Sequence, residues 1–133
     1  MAVRGTSDMI AGMAPRRRSG TFVFATSDDP SLAREALATV REDEGMSLLL
    51  PVDVALDAGL DVTMPMAWLT LTVNSALDGV GLTAAAATAL AEAGIACNVV
   101  AGHRHDHILV PEADAGRALQ TLRLRAAAEA PDA

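Results

Sequence analysis

The chain has no lysine, a single cysteine (Cys97) and few aromatic residues, only 2% of its 133 positions. Without lysine there is no Gly-rich phosphate loop of the Walker type. One cysteine excludes an internal disulfide and a cysteine-rich zinc site, and it gives no sign of an oxidising compartment. Basic charge is also scarce. Ten arginines stand against 17 acidic residues, for a net charge of −7. The densest basic group, Arg16 to Arg18, is three residues long. Nucleic-acid binding needs more clustered basic charge than that, so no nucleic-acid partner is expected. The N-terminus shows no charged start followed by an apolar core, so no secretory leader is expected. The stretch from Gly81 to Gly102 has one charge, Glu92, but Gly94 breaks it and Ala and Gly dominate it. A spanning helix needs about 20 strongly apolar residues. No membrane contact is expected, and a cytoplasmic location is.

What is present is a 51% hydrophobic composition, enough for a packed core and too much for a disordered acidic tail. With so few aromatics, that core has to be built from Leu, Val and small residues. In the first half, Asp8 to Met13 suggests a short edge strand, and Thr21 to Thr26 is a β-branched and aromatic strand stopped by Asp28-Asp29-Pro30. Asp29 is placed to cap a short helix opened by Pro30. Leu37–Glu42 and Met46–Leu50 suggest a hairpin, and Pro51 opens a short helix ended by Gly59.

The second half is more regular. Ala67 to Asn74 alternates, with Leu69, Leu71 and Val73 on one face and Trp68, Thr70 and Thr72 on the other. Ser75 to Gly81 is a loop. Leu82 to Ala93 is an Ala-rich helix with an expected buried stripe of Leu82, Ala85, Ala86, Ala89 and Ala93. Ile95–Ala101 and His107–Val110 are expected strands, and a last helix follows Pro111. The order strand–helix–strand–strand–helix recurs, more faintly, in the first half. Two units are expected, residues 1–63 and 64–133. Each is marginal alone and has to share a sheet edge or helix face with the other, and the pair is expected to form a homodimer.

Asp78-Gly79-Val80-Gly81-Leu82, followed by Ala89-Leu90-Ala91-Glu92-Ala93-Gly94-Ile95 and a strand carrying Asn98, resembles an ACT domain. The likeness runs from Ala67 to about Arg125. The whole chain is similar to small stand-alone prokaryotic proteins of two tandem ACT-like units, and its second unit to the ACT modules of aspartate kinases and cytosolic arginine sensors. The resemblance implies an α+β fold of two ferredoxin-like units, antiparallel sheets with helices on one face. It also implies that an amino acid or similar metabolite binds at a unit interface. The first half lacks an Asp-x-x-Gly loop after Thr26, so an equivalent second site is not expected there.

On this reading the ligand-binding residues are Asn74, Asp78, Gly79, Val80, Gly81, Leu82 and Asn98. Glycines admit close backbone approach, and the amides that open the following helix suit a carboxylate. Asp78 suits an ammonium, and the Asn98 amide both donates and accepts. The same residues also serve as turn formers and caps, with no ligand involved. The series His103, His105, His107 invites a metal, but a turn at Gly102 interrupts its alignment, and no metal or cofactor is expected. Cys97 lacks a nearby cation to activate it, and Glu42-Asp43-Glu44 reads as a solvated turn, so no enzyme is expected. The expected role is a small-molecule-binding sensor or regulatory module; the alternative is a structural or protein-interaction module without a ligand.

Overall fold

The computed structural model describes residues 2–130. Its elements are α1 (Thr6–Ala11), β1 (Pro15–Arg17), β2 (Phe22–Thr26), α2 (Pro30–Glu35), β3 (Ala38–Glu42), β4 (Gly45–Pro51), α3 (Val52–Asp57), β5 (Met66–Leu71), α4 (Leu82–Glu92), β6 (Asn98–Ala101), β7 (Asp106–Pro111) and α5 (Ala115–Glu129). The strands form one antiparallel sheet in the order β3-β4-β2-β5-β7-β6, with β1 also paired to β5. The fold is α+β, and the two units share a sheet through a single registered pair, Phe22 with Met66.

Local chemistry explains most boundaries. The Asp29 carboxylate accepts the Ser31 amide at 2.9 Å, capping α2 just before Pro30. Gly94 follows α4 with φ 74°, a left-handed stop that a side chain would strain. Ile95 then enters the core instead of starting a strand, because its amide closes back on the Leu90 carbonyl. The strand expected from Ile95 is therefore only Asn98–Ala101. The buried positions of α4 are Leu82, Ala86 and Leu90, with the other expected alanines only partly covered.

All helices lie on one face. Ala67, Leu69 and Leu71 of β5 with Ile108 and Val110 of β7 pack beneath α1, α4 and α5, while Val23, Leu48 and Leu50 pack beneath α2 and α3. The opposite face carries no helix and is nonetheless apolar and covered. Phe22, Leu49, Met66, Trp68 and Leu109 form a cluster there, all at or below 5% exposure. Leu37 and Ala38 at one sheet edge and Val100 at the other both pack on it. The sheet therefore curls until its two edges close over their own inner face.

The N-terminal arm departs from the expected plan. Asp8 to Met13 is not an edge strand: Thr6–Ala11 is helical, and Met9, Ile10 and Met13 are buried with α4, α5 and β5. Their spacing of i, i+1, i+4 is helical rather than alternating. Although the first unit was expected to span 1–63, α1 and β1 pack on the second unit.

Because Trp68 sits at the seam between units, Trp68→Ala is expected to destabilise the whole chain by about 3–5 kcal/mol, the usual cost of emptying a large aromatic site. Val40→Ala, on an exposed edge, is expected to change stability by under about 0.5 kcal/mol. Urea melts followed by circular dichroism check both. Two resolved transitions in the wild type would contradict a shared seam.

Candidate functional site

The loop after β5 leads into α4 through Gly81, whose φ is 107°. No side chain caps this helix. The amides of Leu82, Thr83 and Ala84, the first turn, have no partner among the described residues. They line a cleft of about 570 Å³, whose other wall is Ala101, Gly102 and Asp106 at the β6–β7 turn. One wall thus presents the positive end of an 11-residue helix and the other a carboxylate.

The expected site residues divide between two sides of the loop. Gly79, Val80, Gly81 and Leu82 border the cleft, with the Leu82 side chain buried in the core and Val80 75% exposed. Asn74 and Asp78 instead border an outer hollow of about 470 Å³, together with Arg4, His103 and Arg104. Asn98 borders neither. It stands three residues before Ala101 on β6, about 10 Å along an extended strand. The expectation that Asn98 and Asp78 act together at the loop is therefore corrected: the strand direction carries Asn98 away.

Asp106 is the residue that sequence reasoning passed over, because it stood among the histidines. Its signal is an acid at the first position of a strand whose core-facing positions, Ile108 and Val110, are apolar. The arm was also missed. Asp78 is ion-paired with Arg4, with both side chains well exposed, so the pair adds at most about 1 kcal/mol. The Thr6 hydroxyl donates to the Val80 carbonyl at 2.6 Å. The Val3 amide donates to Asn74, and the Ala76 amide donates back to Val3. A Cβ at Gly79 would stand 2.8 Å from the Met9 sulfur, and one at Gly81 would stand 2.7 Å from Thr6 Cγ2. The close approach these glycines allow is that of the protein's own arm.

The three histidines part company. The imidazole of His105 donates from Nδ1 to the Val73 carbonyl at 3.2 Å. His107 packs against Trp68 with ring centroids 4.8 Å apart, and its Nδ1 lies 3.0 Å from the Thr70 hydroxyl, which accepts the Trp68 indole N–H. His103 borders the outer hollow. No group of three metal-ligating side chains comes together among the described residues. Cys97 is half-buried, and that burial pushes its thiol pKa up.

One curled antiparallel sheet with every helix on one face, contributed by two successive strand-and-helix units, defines a tandem ferredoxin-like module. The chain belongs to the ACT domain family: ACT domain descriptions match residues 64–123 and, separately, residues 4–67. A Vibrio cholerae protein, described as of unknown function and as a possible transport protein, is 45% identical over 87% of this chain and 92% of its own, with a TM-score of 0.79. The ligand-free regulatory subunit of aspartate kinase from Thermus thermophilus shares the fold at 12% identity, covering 86% of this chain and 97% of that one, TM-score 0.62. An Agrobacterium tumefaciens protein is similar at 19% identity over 84% of this chain and 87% of its own, TM-score 0.59. Comparison with curated proteins finds no match. No helix among the described residues is long and apolar enough to cross a membrane.

Burial, and then the neighbouring His105, hold the His107 pKa below its ordinary value of 6.5, with Asp106 opposing and Arg18 adding to the shift. The folded chain thus takes up this proton less readily than the unfolded chain. The stability from neutral His107 is fully present above about pH 6.5 and is lost as pH falls through the folded value. Melting temperature is expected to fall on acidification from about pH 7.5 to 5.5, and to fall less in His107→Gln. Carboxylates such as Glu129, whose pKa is lowered by its bonds to Ser7 and Arg125, act in a more acid window. Calorimetric scans across the two ranges separate them.

Proposed function

We propose that the chain is an amino-acid-binding regulatory module whose ligand lies in the cleft between the start of α4 and Asp106. The observation that supports this most is the pairing of opposite charge preferences across one cleft. Three unpartnered helix amides suit the ligand's carboxylate, and Asp106 suits its ammonium. Gly79 to Leu82 form the near rim, while Asn74 and Asp78 hold the loop from behind. Binding that favours one arrangement of the loop and arm changes the surface offered to a partner, which is how such a module regulates. No catalytic step or cofactor belongs to this reading. It includes a cytoplasmic setting, where the lone Cys97 thiol stays reduced.

A thermal-shift series over the twenty amino acids is expected to raise the melting temperature with at least one, since a ligand that binds only the folded state stabilises it. For that ligand, Asp106→Asn is expected to weaken binding by about 1.5–3 kcal/mol. Thr83→Pro removes one cleft amide at a position where the first helical turn tolerates proline, and is expected to cost about tenfold in affinity. Asn98→Ala is expected to leave affinity unchanged. If no amino acid stabilises the wild type, the chain is an interaction module instead.

That second reading has its own support in the sheet edges. Phe24, Val40 and Val99 are 44%, 60% and 37% exposed around a groove of about 340 Å³ between β3 and β6. Both strands are unpaired on their outer sides, and such edges invite pairing. We infer a homodimer that covers them. Light scattering at micromolar concentration is expected to give twice the 13.7 kDa chain mass; a monomer mass would remove this part of the reading.

A further inference from the structure

Arg16, Arg17 and Arg18 line a cavity of about 310 Å³ whose remaining walls are Thr70, Thr72 and His105. The antiparallel pairing of β1 with β5 sets Arg16 opposite Thr70, on the sheet face shared by Trp68 and His107. The Arg18 backbone is tied to Trp68 by an amide–carbonyl bond of 2.9 Å, and its guanidinium lies 5.6 Å from the Trp68 ring centroid. That contact orients the cation without neutralising it. The ion pairs among the described residues use Arg4, Arg117 and Arg125, so none of the three cavity arginines meets a carboxylate. In a chain with 17 acidic residues against ten arginines, three adjacent unneutralised cations run against the overall charge balance.

The other walls are already committed, which leaves recognition to the cations. The Thr72 hydroxyl donates to the Ala14 carbonyl at 2.9 Å, and the Thr70 oxygen accepts the Trp68 indole N–H. The Val73 carbonyl can only accept, so His105 carries a proton on Nδ1 and keeps Nε2 free of that bond. We propose that this cavity binds a small molecule through its phosphate group, with Arg16 and Arg18, which share the Thr70 and Trp68 face, as the ligating side chains and His105 Nε2 at the rim. Guanidinium forks match phosphate oxygens two at a time, which suits an all-arginine site. The volume is at the low end for small-molecule sites and holds a phosphate with a short organic body. The −7 charge of the chain opposes a nucleic acid. None of the six lining residues borders the cleft at α4, so this site stands or falls independently of the amino-acid reading.

Trp68 is the chain's one tryptophan and lies directly beneath Arg18, so its emission reports on the cavity. The test titrates the full chain with inorganic pyrophosphate at fixed ionic strength and follows that emission. A saturable change in the wild type is expected. Arg16→Gln/Arg18→Gln is expected to weaken it by at least about tenfold per arginine removed, while its ligand-free melting curve stays near wild type. Arg34→Gln/Arg41→Gln removes the same charge from the first unit and is expected to bind as the wild type does. No saturable change in the wild type, or equal loss in both double variants, overturns the proposal. Tighter binding of a 12-nucleotide single strand than of pyrophosphate also overturns it, and assigns the arginines to nucleic acid.

Discussion

Phe22, Leu49, Met66, Trp68 and Leu109 meet on the sheet face that no helix covers, and they come from both units. Each large side chain buried in this way contributes about 1.5–3 kcal/mol. A unit of some 60 residues buries too little apolar surface to be secure alone. The seam supplies what each half lacks. The backbone link between halves is one registered pair, Phe22 with Met66, so the tilted Phe22–Trp68 contact at 5.8 Å and its neighbours hold the sheet continuous. With that cluster in place the sheet curls, and its curl brings β3 and β6 to opposite sides of one groove.

The N-terminal arm depends on the same continuity. Its helix α1 packs on the second unit's core, and its short strand β1 extends the sheet beside β5 before the chain crosses into the first unit. The arm consequently lies against the loop that opens α4. Val3, Arg4, Thr6 and Met9 each touch that loop through a different kind of contact: strand pairing, an ion pair, a hydroxyl–carbonyl bond and close packing against glycine. The arm is in turn continuous with the seam through β1.

Charge is distributed by face and by edge rather than evenly. The helix-covered side ends in the cleft, where helix amides oppose Asp106. The inner face ends in the cavity where Arg16 and Arg18 lie with His105 at the rim. Trp68 anchors the inner face beside that cavity: its ring packs on Phe22 and His107, its N–H donates to Thr70, and Arg18 covers it. One aromatic residue in a chain with few others thus serves packing, hydrogen bonding and cation placement together.

The elements that follow from local chemistry were legible in the sequence. The alternation from Ala67, the Asp29-Pro30 cap, the Gly94 stop and the order of elements in the second half need only residue type and spacing, because backbone sterics and side-chain period act within a few residues. The ACT-type loop from Asp78 to Leu82 was legible for the same reason. What the sequence could not supply was which segments meet. The helical arm looked like a strand because Met9, Ile10 and Met13 gain their meaning only against α4 and α5. Asn98 looked like a partner of Asp78 because sequence proximity does not show the direction in which β6 runs. Asp106, opposite the α4 amides, and the unpaired arginines beside Trp68 are products of strand pairing between residues dozens of positions apart. The sequence by itself determined the α+β class, the two-unit plan and the turn chemistry, all short-range properties; only the tertiary structure decided the seam, the arm's place against the loop and the charged cavities, because burial and electrostatic neighbours are set by distance in space.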